Sequence, residues 1–142
     1  MRILAVDYGE KRMGLSISDE SGTIANPLYV IPHVSRIVDA AQVAERASAL
    51  GAKMIIVGQS FDEEGQPNKS GRMSAKFAEA LKQQTSLPVE LWDEAFTTQD
   101  ARSAGIVLNV SRKNRSGHLD DIAATILLQS YLDAHSAPQQ RK

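Results

Sequence analysis

Three consecutive strand-patterned segments precede any helical period in this chain, and that order constrains its fold more than any other feature. Arg2-Ile3-Leu4-Ala5-Val6-Asp7 is a short apolar run ending in a carboxylate, the pattern of a buried strand. Tyr8 to Met13 is a polar, glycine-containing turn, and Gly14 to Asp19 alternates apolar and polar residues with the period of a half-buried strand. Thr23 to Ile31 supplies a third strand, in which Pro27 marks an edge or a bulge.

The period then changes. Ile37, Ala40, Ala41, Ala44, Ala47 and Leu50 fall on one face of a helix that Gly51 would end. Lys53 to Gly58 is a continuous apolar strand of the kind covered on both faces of a sheet. A polar loop from Gln59 to Gly71 leads to a helix marked by Met73, Phe77, Ala80 and Leu81, and Pro88 to Trp92 is a short strand running into Asp93-Glu94. Thr97, with Asp100 three residues on, can cap a further helix. The last helix carries Leu119, Ile122, Ala123, Ile126, Leu127 and Tyr131, and the polar segment from Ser136 is expected to fray. A meander followed by alternating helices and strands predicts an α/β fold, a mixed sheet flanked by helices on both faces. One domain over residues 1–135 with a polar tail at 136–142 is expected.

Composition narrows the chemistry. The 142 residues include no cysteine, which excludes disulfides, thiolate metal sites and a cysteine nucleophile. No apolar run approaches the roughly 18 residues of a membrane span, and the N-terminal run is too short for a signal peptide, so a cytoplasmic location is expected. Sixteen Lys and Arg against seventeen Asp and Glu give a net charge of −1, with no global pull toward a polyanion. The distribution is less even. From Ala101 to Leu119 there is no acid, while Arg102, Arg112, Lys113, Arg115 and His118 lie within that stretch. Lys11 and Arg12 flank Asp7, and Arg72 and Lys76 start an earlier helix. Lys11, Arg12, Arg72, Arg112, Lys113 and Arg115 are the candidate contacts to a sugar-phosphate backbone. Tyr8, Phe61, Trp92 and Phe96 are the aromatics placed to stack on bases.

Three acids stand where a site would form. Asp7 closes the first strand, Glu94 follows the last, and Asp120 opens the final helix, within the arc of Leu119, Leu127 and Tyr131. Crowded carboxylates repel unless a cation neutralises them, and Mg²⁺ or Mn²⁺ suits hard oxygen donors. Two such ions about 3.5–4 Å apart would activate water and stabilise the leaving oxygen of a phosphodiester. Each acid also has an ordinary reading, as a turn residue, a helix cap or a solvated loop carboxylate. Asp7-x-Gly9 occurs as well in the phosphate loops of sugar-kinase and actin-like ATPases, but those enclose a nucleotide between two such domains.

Asp7-Tyr8-Gly9-Glu10-Lys11-Arg12-Met13-Gly14, Trp92-Asp93-Glu94 with Thr97-Thr98, and Leu119-Asp120-Asp121-Ile122-Ala123-Ala124 together resemble the YqgF/RuvX family. These are the Holliday junction resolvase-like proteins, also called pre-16S rRNA nucleases. The resemblance runs from Arg2 to about Asp133. It implies a ribonuclease H-like fold with a five-stranded mixed sheet, and a metal-dependent nuclease that matures the 5′ end of 16S rRNA in the cytoplasm. Its acidic positions match Asp7, Glu94 and Asp120 as catalytic and metal-binding residues. Structured RNA, as pre-rRNA, is the implied partner, with branched DNA or non-catalytic binding to nucleic acid or the ribosome as alternatives. The chain departs from the family pattern at Ala95, where Arg is usual, and at Gly58-Gln59-Ser60, where Gly-Leu-Pro is usual. The first change removes a bidentate phosphate or carboxylate partner.

Overall fold

The structure, a computed structural model, describes residues 1–94 and 120–140, and for 120, 121 and 136–140 the backbone alone. Strands β1 (Ile3–Tyr8), β2 (Arg12–Ser18) and β3 (Ala25–Pro32) form the expected meander, followed by helix α1 (Arg36–Ala49), β4 (Met54–Gln59), α2 (Lys69–Lys82), β5 (Val89–Asp93) and α3 (Asp120–Gln140). The sheet order is β3-β2-β1-β4-β5. The β1–β2 and β2–β3 pairs are antiparallel, and β1–β4 and β4–β5 are parallel. β3 is an edge strand, and the register of its pairing with β2 shifts between Leu15 and Ser16, opposite Tyr29 and Pro27, as a proline there requires. The helix proposed from Thr97, its cap and the basic loop at 111–118 lie outside the described residues.

Strand alternation assigns each face of the sheet its own core. Leu4, Val6 and Tyr8 of β1 and Ile55 and Val57 of β4 pack with Ala40, Val43 and Ala47 of α1 and Phe77, Ala78 and Leu81 of α2. Ile3, Ala5, Met54 and Ile56 point the other way, against Leu127, Leu128, Tyr131 and Leu132 of α3. Asp7 has the parity of Ile3 and Ala5, so it belongs to the α3 face, while its neighbour Tyr8 belongs to the α1/α2 face.

Several boundaries differ from the sequence expectation for local reasons. β2 begins at Arg12 rather than Gly14, because the Gly9 N–H bonds to the Arg12 carbonyl at 3.0 Å and closes a very short turn. A Cβ on Gly9 would lie 2.7 Å from that oxygen, so it is close approach that calls for glycine there; its φ is not positive. In α1 the buried stripe is Ala40, Val43, Ala44 and Ala47, and Ile37, counted above as an inward residue, is 69% exposed. The stripe is rotated because Asp39 is drawn inside. In α3 the inward residues are Ile122, Ala124, Leu127, Leu128, Tyr131 and Leu132, with Ala123 outside, and its helical backbone extends to Gln140. No helix among the described residues is long and apolar enough to cross a membrane.

Asp39 is completely buried. Its carboxylate accepts hydrogen bonds from the Tyr8 hydroxyl at 3.1 Å and the Val34 N–H at 3.0 Å, and it meets Nδ1 of His33. Tyr8 in turn stacks on Phe77, with ring centroids 4.1 Å apart. The end of β1, the exit of β3 and the first turn of α1 are thereby tied at one point. Asp39→Ala strands the tyrosine and histidine groups and a backbone N–H, and is expected to cost about 2–4 kcal/mol, read as a lower urea midpoint at unchanged slope.

Candidate active site

The face beneath α3 gathers the acids. β5 carries Glu90 and Trp92 toward α3. Trp92 packs edge-on against Tyr131 with centroids 5.0 Å apart, its indole N–H donates to Ser130 Oγ at 2.8 Å, and Glu90 meets the Tyr131 hydroxyl at 3.5 Å. Two residues on, Glu94 keeps that parity, and Asp93 has the opposite one. Glu94 and Asp7 consequently meet at the carboxyl ends of β5 and β1, and their side chains share a hydrogen bond. Such a bond needs a proton between the two carboxyls. Burial pushes the Glu94 pKa above the ordinary glutamate range; the bond with Asp7 draws it down in part, and the Asp93 charge raises it further.

Opposite Asp7 in the β1–β2 ladder stands Gly14, which adds no side chain to this face. Arg12 shares its parity and thus flanks Asp7 on the sheet surface. α3 is held to the sheet by Ser16, fully buried, whose hydroxyl donates to the Ala124 carbonyl at 2.8 Å. Gln129 adds a second tie, accepting from the Ala25 N–H at 2.9 Å and donating to the Thr23 carbonyl at 3.0 Å. Position 120 starts the helix and lies on the row that continues through Ala124, Leu127 and Tyr131, all buried against the sheet. The side chain of Asp120 lies outside the described residues, as do Arg112, Lys113 and Arg115. Among the described residues no group of three or more His, Asp or Glu side chains converges as a metal cage. The described part of the site is the Asp7–Glu94 pair.

The other sequence candidates are placed less uniformly. Lys11 and Arg12 lie together at the start of β2, in an open groove with Val30 and Pro32. Arg72 is exposed and its guanidinium folds back to the Pro67 carbonyl at 3.1 Å. The basic residue of α2 that borders the β1–β2 turn is Lys69, in a small cleft with Tyr8, Gly9 and Glu10, and sequence reading missed it. Tyr8 and Trp92, expected as stacking platforms for bases, are instead used in the two cores. Gly58 was also missed as a site residue. It lies under Glu94 and Leu127, and the only pointer to it in the sequence is that it keeps the glycine of the family's Gly-Leu-Pro position.

The model of the RuvX family, described as Holliday junction resolvase, matches residues 1–134. The chain belongs to the RuvX family. Among curated relatives, a protein of Thermoanaerobacter pseudethanolicus named "Putative pre-16S rRNA nuclease" is 38% identical over 135 residues, covering 94% of this chain and 97% of that one. A protein of Symbiobacterium thermophilum with the same name is 37% identical over 137 residues, covering 96% of this chain and 95% of the other. Among solved structures, Thermus thermophilus RuvC in complex with a Holliday junction substrate superposes with a TM-score of 0.65 at 17% identity, covering 96% of each chain. The fowlpox virus resolvase bound to Holliday junction DNA gives 0.58 at 15% identity, covering 95% of this chain and 99% of that one. The RuvX chain thus has the ribonuclease H-like fold of the RuvC-type resolvases, as the family resemblance implies.

A carboxyl whose pKa rises on folding binds its proton more tightly in the folded state. Its contribution is neutral below the unfolded value and turns destabilising as pH rises through the folded one. In buffer containing EDTA, Glu94→Gln is therefore expected to melt above the parent protein at pH 7, by about 2–4 °C for each kcal/mol relieved, and level with it near pH 4. Melting curves across that range test the sign.

Proposed function

We propose that this chain is a divalent-metal-dependent nuclease that hydrolyses phosphodiester bonds in structured RNA, acting in 5′-end maturation of pre-16S rRNA in the cytoplasm. The observation that carries the reading is the shared hydrogen bond of Asp7 and Glu94 on the sheet face beneath the start of α3, in a chain of the RuvX family. The pair fits a divalent cation: two hard oxygen donors, one with a raised pKa, face each other under a helix, and a cation relieves their repulsion. Asp7, Glu94 and Asp120 would hold Mg²⁺ or Mn²⁺ there. Such an ion, when bound, supplies a water of lowered pKa and neutralises charge at the leaving oxygen.

The chain's own residues supply the rest. Asp7 and Glu94, once deprotonated, are the acceptors that would orient the attacking water. Arg12, on the same face as Asp7, takes a backbone phosphate, with Lys11, Arg72, Arg112, Lys113 and Arg115 extending the track. Residues 1–135 act as one nuclease domain.

The family description favours a second substrate, branched DNA. Purified protein is expected to cut a pre-16S 5′-leader RNA with Mn²⁺ or Mg²⁺, and Asp7→Asn to lose at least about a hundredfold in rate, the scale of losing one charged transition-state stabiliser. Preferential cutting of a four-way DNA junction would move the assignment to DNA. Binding of either substrate by wild-type protein without turnover in either metal would leave a non-catalytic binder. Arg12→Ala is expected to weaken binding across all sequences and to lower the slope of log K against log salt by about 1.

A further inference from the structure

β4 is Met54-Ile55-Ile56-Val57-Gly58-Gln59, buried along its whole length, and a glycine in such a strand gives up side-chain packing and backbone entropy. The cost has a local cause. Gly58 pairs with Trp92 in the parallel β4–β5 ladder, so Glu94 stands two residues diagonal to it, on the same face. A Cβ built on Gly58 would lie 2.7 Å from Glu94 Oε2 and 3.0 Å from both Glu94 Cγ and Leu127 Cδ2. The glutamate therefore leans back over β4, under the cover of α3, into space that any other residue would occupy. Among the described residues the three atoms nearest to that position all belong to side chains. What a methyl group would displace is the flexible end of Glu94 together with one methyl of Leu127.

We propose that Gly58 is a positioning residue: its missing side chain forms the slot in which the Glu94 carboxylate lies, and that slot sets the separation of Glu94 from Asp7. The proposal rests on the metal-site reading above for its consequence, and on the contact geometry for its cause. A residue that serves only close packing of α3 would act through Leu127. A residue that positions the acid acts through Glu94. The two roles separate because the two contacts can be removed independently.

The test is Mn²⁺ affinity, measured by electron paramagnetic resonance of free and bound ion, in Gly58→Ala, Leu127→Val and the double variant. Valine at 127 lacks the Cδ2 atom and relieves that contact alone. Gly58→Ala is expected to melt cooperatively and to bind Mn²⁺ about 10–100-fold more weakly, the range for a residue that orients a ligand from behind. Leu127→Val combined with it is expected to recover thermal stability and not affinity. Unchanged affinity in Gly58→Ala, or full recovery in the double variant, overturns the proposal. Should Gly58→Ala not fold, the double variant is compared with Leu127→Val, and equal affinities overturn it. Should wild-type protein bind Mn²⁺ no better than Asp7→Asn, the metal reading fails, and crystals of Gly58→Ala decide the slot: loss of the Asp7–Glu94 hydrogen bond upholds it, and retention overturns it.

Discussion

The close seating of α3 on the sheet is the contact on which the candidate site depends. Asp7 and Glu94 are strand-end acids that in open solvent would stay apart and charged. Under α3 Glu94 loses water, and that burial raises its pKa, against which the hydrogen bond with Asp7 acts in the other direction. The seating is itself specified by polar contacts in a largely apolar layer: Ser16 to the Ala124 carbonyl, Trp92 to Ser130, and Gln129 to the edge of β3. Apolar packing alone tolerates sliding of a helix along a sheet, whereas buried hydrogen bonds lose their full value when displaced. These three fix where along the sheet the helix begins.

The two faces of the sheet carry different duties. The α1/α2 face is aliphatic and closes on the Tyr8–Asp39–His33 cluster, a buried polar knot at the end of β1. Its polar atoms pair with one another, so it holds rather than reacts. One residue back along the chain, Asp7 emerges on the opposite face. A rigid end to β1 on one side thus supports an acid on the other, and the same strand is both anchor and site.

Much of the architecture was legible in the primary structure. The meander before the first helix, the continuous apolar β4 and the proline at the edge of β3 each follow from a period or a backbone restriction. Strand parity sends Glu94 rather than Asp93 toward α3, with Trp92 and Glu90, a distinction the sequence reading did not draw. Elsewhere local patterning misled. Ile37 has the right period for the core of α1 and lies outside, because burying Asp39 with three partners turns the helix. Tyr8 and Trp92 look available to bases and are used for packing. Aromatic residues next to a site carry no sign of which face they take until the sheet is assembled.

By itself, then, the sequence determined the order of the described strands and helices, the place of Asp7 and Glu94 at strand ends, and the donor chemistry of the pair, because periods of 2 and 3.6 and side-chain type are local properties. Only the tertiary structure decided that Glu94 reaches Asp7, that its proton is held more tightly than usual, and that Gly58 makes room for it. Those depend on which atoms of β4, β5 and α3 compete for the same few ångströms, and residues 58, 94 and 127 have no relation along the chain that would reveal it.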